Sequence, residues 1–397
     1  MTAARQSYDV VIIGGAIYGS SVAWWLTQMP GFEGRILVVE RDPTYEFAAT
    51  SLTNSCIRQQ FSNRVNIQIS QFGAEFIHNF RAFMGGDPAV PELALQSYGY
   101  LYLADTIEFA ETLRESQKVQ ESLGAATKHL TPDEITEAFP FYQLDDILGG
   151  NHNRVNEGYF DGVTMFDWFK RMARRNGVEY IADEVTALTR KGGQIAEVVL
   201  NSGARVSCGC VVNAAGTRGA QIAHMAGVEI PVEPRRRYTY IFDAAHPLDR
   251  DLPLTIDPTG VHMRSDGRYY LAGGPPDDDP PVDVDDFSAD HGLWETKFWP
   301  IIATRIPQFE QIKLINMWVG HYDYNTLDQN ALIGPHPEIA NFMFINGFSG
   351  HGLQQSPALG RGLAERIAFG AYRSLDLTPF NVDRVLSGEK FLEKAVI

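Results

Sequence analysis

The chain has 397 residues, too many for one ordinary core and enough for two closely joined domains. A formal net charge of −16 repels phosphate backbones and argues against nucleic acid as a partner. No apolar run reaches the ~18 residues of a membrane span, and the short polar stretch before Tyr8 carries no targeting signal, so the expected location is cytoplasmic.

Tyr8–Ile13 reads as an apolar strand, Ser20–Gln28 as a helix and Arg35–Val39 as a second strand, a βαβ unit suited to a parallel sheet. A Ser/Thr/Asn-rich loop, Ala49–Gln60, leads into a long helix ending near Met84. Short strands such as Tyr98–Leu103 follow, with a helix opened by Thr131–Pro132–Asp133–Glu134, where a polar cap, an early Pro and a Glu three residues on form a strong start signal. The stretch Thr164–Ile230 returns to α/β character and contains the strand end Val211–Val212–Asn213–Ala214–Ala215–Gly216. Strands Tyr238–Phe242, Val261–Arg264 and Tyr269–Ala272 come next, then an amphipathic helix near Asp290–Arg305. The acidic run Pro275–Asp286 lacks the central Gly and closing Glu of a calcium loop and reads as solvated. Cys56, Cys208 and Cys210 are too few for a disulfide framework or zinc site, and buried thiols are expected, with no metal. From Phe342 a strand leads through a glycine-rich turn to a helix over Pro357–Tyr372. The expected class is α/β. A Rossmann-type nucleotide domain from 1–86, 146–230 and 315–375 is interleaved with a mixed-sheet substrate domain from 87–145 and 231–314. A tail, 376–397, packs on the first.

After the first strand stands Gly14–Gly15–Ala16–Ile17–Tyr18–Gly19, a dinucleotide fingerprint with Ala16 where the middle glycine usually lies. It follows a strand and opens a helix, whose N-terminal amides can hold a pyrophosphate. Glu40 ends the second strand, where a carboxylate accepts hydrogen bonds from ribose hydroxyls and repels a 2′-phosphate. Only one such fingerprint occurs. A second glycine turn, Gly347–Phe348–Ser349–Gly350–His351–Gly352, lies far along the chain between a strand and a helix. One turn for phosphate and one for a ring suit a long cofactor, and FAD is favoured over NAD.

The fingerprint, Asn213–Ala214–Ala215–Gly216 and Gly350–His351–Gly352 together resemble the D-amino-acid oxidase/sarcosine oxidase superfamily of FAD-dependent amine oxidoreductases. Ile57–Arg58–Gln59–Gln60–Phe61–Ser62, Tyr322–Asp323–Tyr324–Asn325–Thr326, Asn346–Gln355 and Gly388–Glu389–Lys390 are similar to its FAD-dependent oxidoreductase domain-containing branch, linked to respiratory complex I assembly. The resemblance implies a flavin held between the two domains, and removal of hydride from a carbon bearing an amine. The cofactor set expected from it adds Arg41, the loop residues Ser51, Thr53, Asn54, Ser55 and Cys56, then Val185. The late turn contributes Gly347, Ser349, Gly350, His351, Gly352, Leu353 and Gln354.

Arg58 matches the position where sarcosine oxidases hold the substrate carboxylate, a task suited to a guanidinium fork. An arginine tied to the protein's own groups is the alternative. Gln354 matches a second carboxylate-holding position that is lysine in sarcosine oxidases. Tyr322–Asp323–Tyr324 replaces the segment where glycine and D-amino-acid oxidases carry an arginine, and Asp323 would repel a carboxylate or attract an amine. His321 falls where sarcosine oxidases attach flavin through cysteine; no cysteine lies there, so FAD is expected to be noncovalent. His351 is expected to serve loop geometry or a flavin hydrogen bond, Arg264 to stand beside flavin N5 or in a salt bridge, and Tyr322 and Tyr324 to wall an amine site or pack in the core. The function this implies is oxidation of the C–N bond of a secondary or N-substituted amino acid. Oxygen, a quinone or an electron-transfer flavoprotein would be the acceptor. The alternative is a flavoprotein that assists respiratory-complex subunits, peripheral to the inner membrane.

Overall fold

The computed structural model describes residues 3–394, so residues 1–2 and the last part of the expected tail, 395–397, lie outside it. β1 (Ser7–Ile13), α1 (Ile17–Gln28) and β2 (Ile36–Glu40) form the βαβ unit, with β1 and β2 parallel. Its geometry depends on two glycines. Gly14 has φ +98°, and a Cβ there would lie 2.5 Å from the Ala214 carbonyl oxygen. A Cβ on Gly19 would lie 1.9 Å from the Gly14 carbonyl oxygen, so only glycine lets α1 start this close to the strand.

The first sheet runs Leu332–His336, Ile339–Asn346, Arg205–Asn213, β1, β2, Glu179–Ala182, with Val185–Lys191 and Gln194–Leu200 attached antiparallel beside Arg205–Asn213. Helices cover it: α1 and the buried helix Gly352–Phe369 pack together on one face. The second sheet is mixed and runs from Ile312–Asn325 and Val232–Ala244 to Gly149–Asn153 and Lys128–Leu130. Strand pairing thus puts 149–153 and 312–325 in the second sheet, although 149–153 and 315–325 fall inside segments expected in the nucleotide domain. The strand Ile312–Asn325 is the joint: it pairs along Val232–Ala244, and at its end Asp323 reaches Gly347 of the first sheet's late turn.

Several elements differ from expectation. The late helix begins at Gly352 rather than Pro357, because Pro357 is tolerated inside it: the Leu353 carbonyl, which Pro357 cannot reach with an N–H, accepts the Ser356 hydroxyl at 2.9 Å. The expected helix over Asp290–Arg305 is a π-helical turn, Trp294–Phe298, running into Trp299–Arg305. The long helix to Met84 is Arg64–His78 plus a short turn, Phe80–Phe83. Thr131 and Glu134 form the expected capping box. The cysteines are unpaired and half-buried rather than fully buried. Near the end of the described chain, Glu393 is buried and accepts the Ser62 amide at 2.7 Å and the Asn66 side chain at 3.0 Å. Among the described residues no helix is long and apolar enough to cross a membrane.

Candidate cofactor and substrate site

A cavity of about 430 Å³ lies over the carboxyl ends of β1, β2 and Arg205–Asn213, where open α/β sheets bind ligands. Gly14, Ala16, Tyr18, Glu40, Arg41, Val185, Ala214, Ala215 and Gly216 line it. Two observations fit it to the ADP half of a dinucleotide. The buried N-terminus of α1 has no capping side chain at Ala16 and no acidic residue in its first turn, and its Ile17 amide makes only a long contact with Thr50 Oγ1 at 3.3 Å, an arrangement suited to an anion. Glu40 stands at the wall with one oxygen on the Gly15 amide at 2.7 Å and the other on the Asp42 amide at 2.8 Å. Burial pushes its pKa up, while those two amides lower it. Gly15 and Gly19 shape the turn and do not line the cavity.

A second cavity of about 110 Å³ shares Tyr18, Ala49, Thr50 and Asp323 with the first. It is lined by Ile17, Thr53, Asn54, Ser55, Cys56, Arg58, His321, Tyr322, Ser349, Gly350, His351, Gly352, Leu353 and Gln354. The helix Gly352–Phe369 brings its own uncapped, buried N-terminus here, again with no acidic residue in the first turn. The turn before it is held by Asp323, whose Oδ2 accepts the Gly347 and Phe348 amides at 2.8 and 3.3 Å and whose Oδ1 accepts the Tyr18 hydroxyl at 3.3 Å. Burial lifts the Asp323 pKa to about 6 against these hydrogen bonds. The expected role for Asp323, attracting an amine or repelling a carboxylate, gives way to a different one. Its carboxylate is engaged in fixing the turn, because the two amides face it. Gly347 sits behind that turn, outside both cavities.

Arg58 is fully buried. It donates Nη1 to the Gln60 carbonyl and Nη2 to His351 Nε2 at 2.9 Å, and its guanidinium lies 4.0 Å from the Phe61 ring centre. Its own amide donates to Gln354 Oε1 at 2.9 Å, so Gln354 holds the Arg58 loop. Burial first, and Arg58 second, keep His351 neutral, with its pKa well below the usual value.

Three further residues named from the sequence stand elsewhere. Ser51 is exposed and lines neither cavity. Arg264 lines neither; its Nη1 donates to Asp266 at 2.8 Å and its Nη2 to the Asn54 carbonyl at 3.3 Å, the salt-bridge alternative. Tyr324 faces away from the cavities, accepting Gln329 at 2.8 Å beneath Arg235. His321 stacks on Phe287 at 4.1 Å and donates Nε2 to the Asp286 carbonyl at 3.0 Å.

The strands of the second sheet bring in residues that the sequence reading passed over. Arg237, Thr239 and His262 line the second cavity. His262 Nε2 meets Asn54 Nδ2 at 2.9 Å, which leaves the ring proton on Nδ1. Burial, then Arg264 and Arg237, lower its pKa to about 4. His262 Nδ1, His321 Nδ1 and Arg237 Nε are buried with no partner among the described residues. His262, His321 and Arg237 thus each carry a buried polar atom without a partner on a residue that lines the second cavity, and such groups call for an explanation. The signal for Arg237 was Arg235–Arg236–Arg237, three cations opening a strand, whose pairing could not be read without the fold.

The acidic run is not merely solvated. Asp279 pairs with Arg237 at 2.7 Å, Asp286 with Arg236, and Asp285 with Arg218 and, at 3.4 Å, with Arg41. The loop therefore crosses the mouth of the first cavity, which Val284, Asp285 and Phe287 help to wall.

A family profile described as "DAO: FAD dependent oxidoreductase" matches residues 9–366. The chain is 37% identical to the FAD-dependent oxidoreductase domain-containing protein 1 of Xenopus laevis, covering 98% of this chain and 85% of that one. It is 24% identical to the mitochondrial dimethylglycine dehydrogenase of Rattus norvegicus, over 92% of this chain and 43% of the relative. Its fold is similar to that of L-proline dehydrogenase from P. horikoshii, with a TM-score of 0.84, 24% identity, and coverage of 97% of this chain and 99% of the other. Uncapped helix N-termini at both cavities, Glu40 at the wall and the family match agree: this chain belongs to the DAO family of FAD-dependent oxidoreductases, and FAD is its cofactor.

Proposed function

We propose that the chain oxidises the C–N bond of a small secondary or N-substituted amino acid, with FAD held noncovalently between Gly14–Gly19 and Gly350–Gln354. Bound FAD supplies a hydride acceptor. The observation that carries this reading is the second cavity: small, sharing four lining residues with the cofactor cavity, and walled by a cation, Arg237, beside an aromatic face, Tyr322, 4.6 Å away. The cation suits a carboxylate and the ring suits an amine-bearing carbon. The relatives' printed names point the same way, since dimethylglycine dehydrogenase and sarcosine oxidase subunit beta act on N-methylated glycines.

The protein's part is to bind, orient and exclude water. His351 is neutral and already accepts Arg58, while His262 presents a donor from Nδ1. Neither carries a charge at neutral pH that would repel an amine. Loss of hydride from carbon leaves an iminium, which water hydrolyses to an amine and a carbonyl compound.

Anaerobic mixing of the FAD-loaded chain with N-methyl, N,N-dimethyl and cyclic secondary amino acids tests this. Bleaching by at least one is expected, and admission of air then separates oxygen from a quinone or flavoprotein acceptor. If no member of a broad panel bleaches the flavin, the reading fails.

A further inference from the structure

Arg237 has five N–H donors, and their partners can be accounted for one by one. Nη1 uses both of its hydrogens, one on Asp279 Oδ1 at 2.7 Å and one on the Arg236 carbonyl at 2.7 Å. Nη2 gives one hydrogen to Asp279 Oδ2 at 3.0 Å. Asp279 therefore grips the end-on edge of the guanidinium, the two Nη atoms. Nε has no partner, and Nη2 keeps a second hydrogen. These two donors lie on one side of the planar group and form its second bidentate edge, matched in spacing to the two oxygens of a carboxylate. The side chain is about nine-tenths buried, at 10% exposure, so leaving this edge unpaired is costly in the absence of a ligand. Arg237 lines the second cavity, and Asp279 does not.

The other cavity-lining arginine is differently placed. Arg58 directs its terminal nitrogens to Gln60 and His351 and lies against Phe61. A carboxylate bound there would displace contacts within the protein. One bound to Arg237 would complete an unfinished set.

Resting on the proposed amino-acid oxidation, we infer that the side-on edge of Arg237, Nε with Nη2, receives the substrate's carboxylate, and that Asp279 is a positioning residue that holds the guanidinium by its other edge. Specificity follows. A substrate needs a carboxylate within reach of Arg237, and Tyr322, 4.6 Å from the guanidinium, closes one side of the same space. A simple amine without a carboxylate leaves the buried edge unpaired and is rejected.

The test uses the FAD-loaded full chain and inert carboxylates, acetate and benzoate, followed by calorimetry and by perturbation of the flavin spectrum. Binding is thus read without turnover, so the site stands or falls separately from the oxidation. Arg237→Met is expected to weaken carboxylate binding about 30-fold or more, and Arg237→Lys, which keeps the charge facing Asp279 but loses the fork, by about tenfold. Asp279→Asn is expected to weaken binding about threefold to tenfold, and in an active enzyme to raise KM with kcat unchanged. FAD content and thermal midpoint of Arg237→Lys confirm that it is folded. Unchanged binding in both Arg237 variants overturns the site, as does a loss that instead tracks Arg58→Lys. Tighter binding in Asp279→Asn overturns the positioning role, because Asp279 would then be a competitor for the same guanidinium.

Discussion

Arg58 Nη2 and His351 Nε2 stand 2.9 Å apart in a space closed to solvent, so a permanent cation faces an imidazole that accepts its hydrogen. Arg58→Met removes the donor for both His351 and the Gln60 carbonyl, at an expected cost of about 3 kcal/mol in unfolding free energy. The His351 titration should move upward in that variant, since one of the two causes of its depression is gone. Histidine NMR and denaturant unfolding read the two effects.

Native His351 and His262 bind fewer protons than they do in the unfolded chain. Their contribution to stability is therefore present above an unfolded pKa of about 6.5 and is lost as pH falls from there, for His262 through about 4. His262→Gln should flatten the acid limb of stability against pH; an unchanged limb would contradict the assignment.

Glu157 behaves in the opposite sense. It is buried, accepts the Gln59 amide at 2.7 Å and the Gln60 and Asn153 side chains at 2.8 and 2.9 Å, and burial lifts its pKa to about 7. The native state holds a proton that the unfolded chain releases. Stability from this group is full below about pH 4.5 and is lost as pH rises through about 7, with a span of about 3 kcal/mol as an upper bound. Urea midpoints of Glu157→Gln at pH 5 and pH 8 should lie closer together than those of the parent.

Gly19→Ala should abolish flavin binding. Its Cβ would fall 1.9 Å from the Gly14 carbonyl oxygen, backbone against backbone, so α1 must move off the strand. A thermal midpoint lowered by overpacking of a few kcal/mol and colourless purified protein are the expected readouts.

Asp323→Asn replaces one carboxylate oxygen with an NH2 group facing the Gly347 and Phe348 amides or the Tyr18 hydroxyl. Facing the amides, donor would meet donor; facing Tyr18, the NH2 would make the hydroxyl an acceptor and leave its hydrogen without the carboxylate, and either way the late turn should loosen by about 2 kcal/mol. Slower FAD uptake with an intact fold by circular dichroism would support this. Unaltered uptake would show that the turn is fixed by other contacts.

What could be read along the chain was whatever is written locally. The Gly14–Gly19 turn, Glu40 and the Thr131 capping box each depend on residues a few positions apart or on one βαβ crossover. The second sheet was harder. Arg237 and His262 meet at the cavity only because Val232–Ala244 and His262–Asp266 both pair with Tyr269–Gly274, and that register is a long-range matter. Arg58 was visible as an arginine either holding a substrate carboxylate or tied to the protein's own groups, but its partners, Gln60 and His351, decide its role, and His351 lies 293 positions away. The acidic run misled for a related reason: charge density in a loop looks solvated until the arginines opposite it are placed.

That loop also carries a kinetic consequence. Asp285 ties Arg218 and Arg41 on the nucleotide side, while Asp279 and Asp286 tie Arg237 and Arg236 on the other. Asp285 is exposed and Asp286 half-exposed, so their pairs are individually weak and are screened by salt. Retention of FAD should therefore depend on ionic strength through its escape rate. The spectrum of the loaded protein would stay the same in molar salt, while exchange against a flavin-free acceptor runs faster.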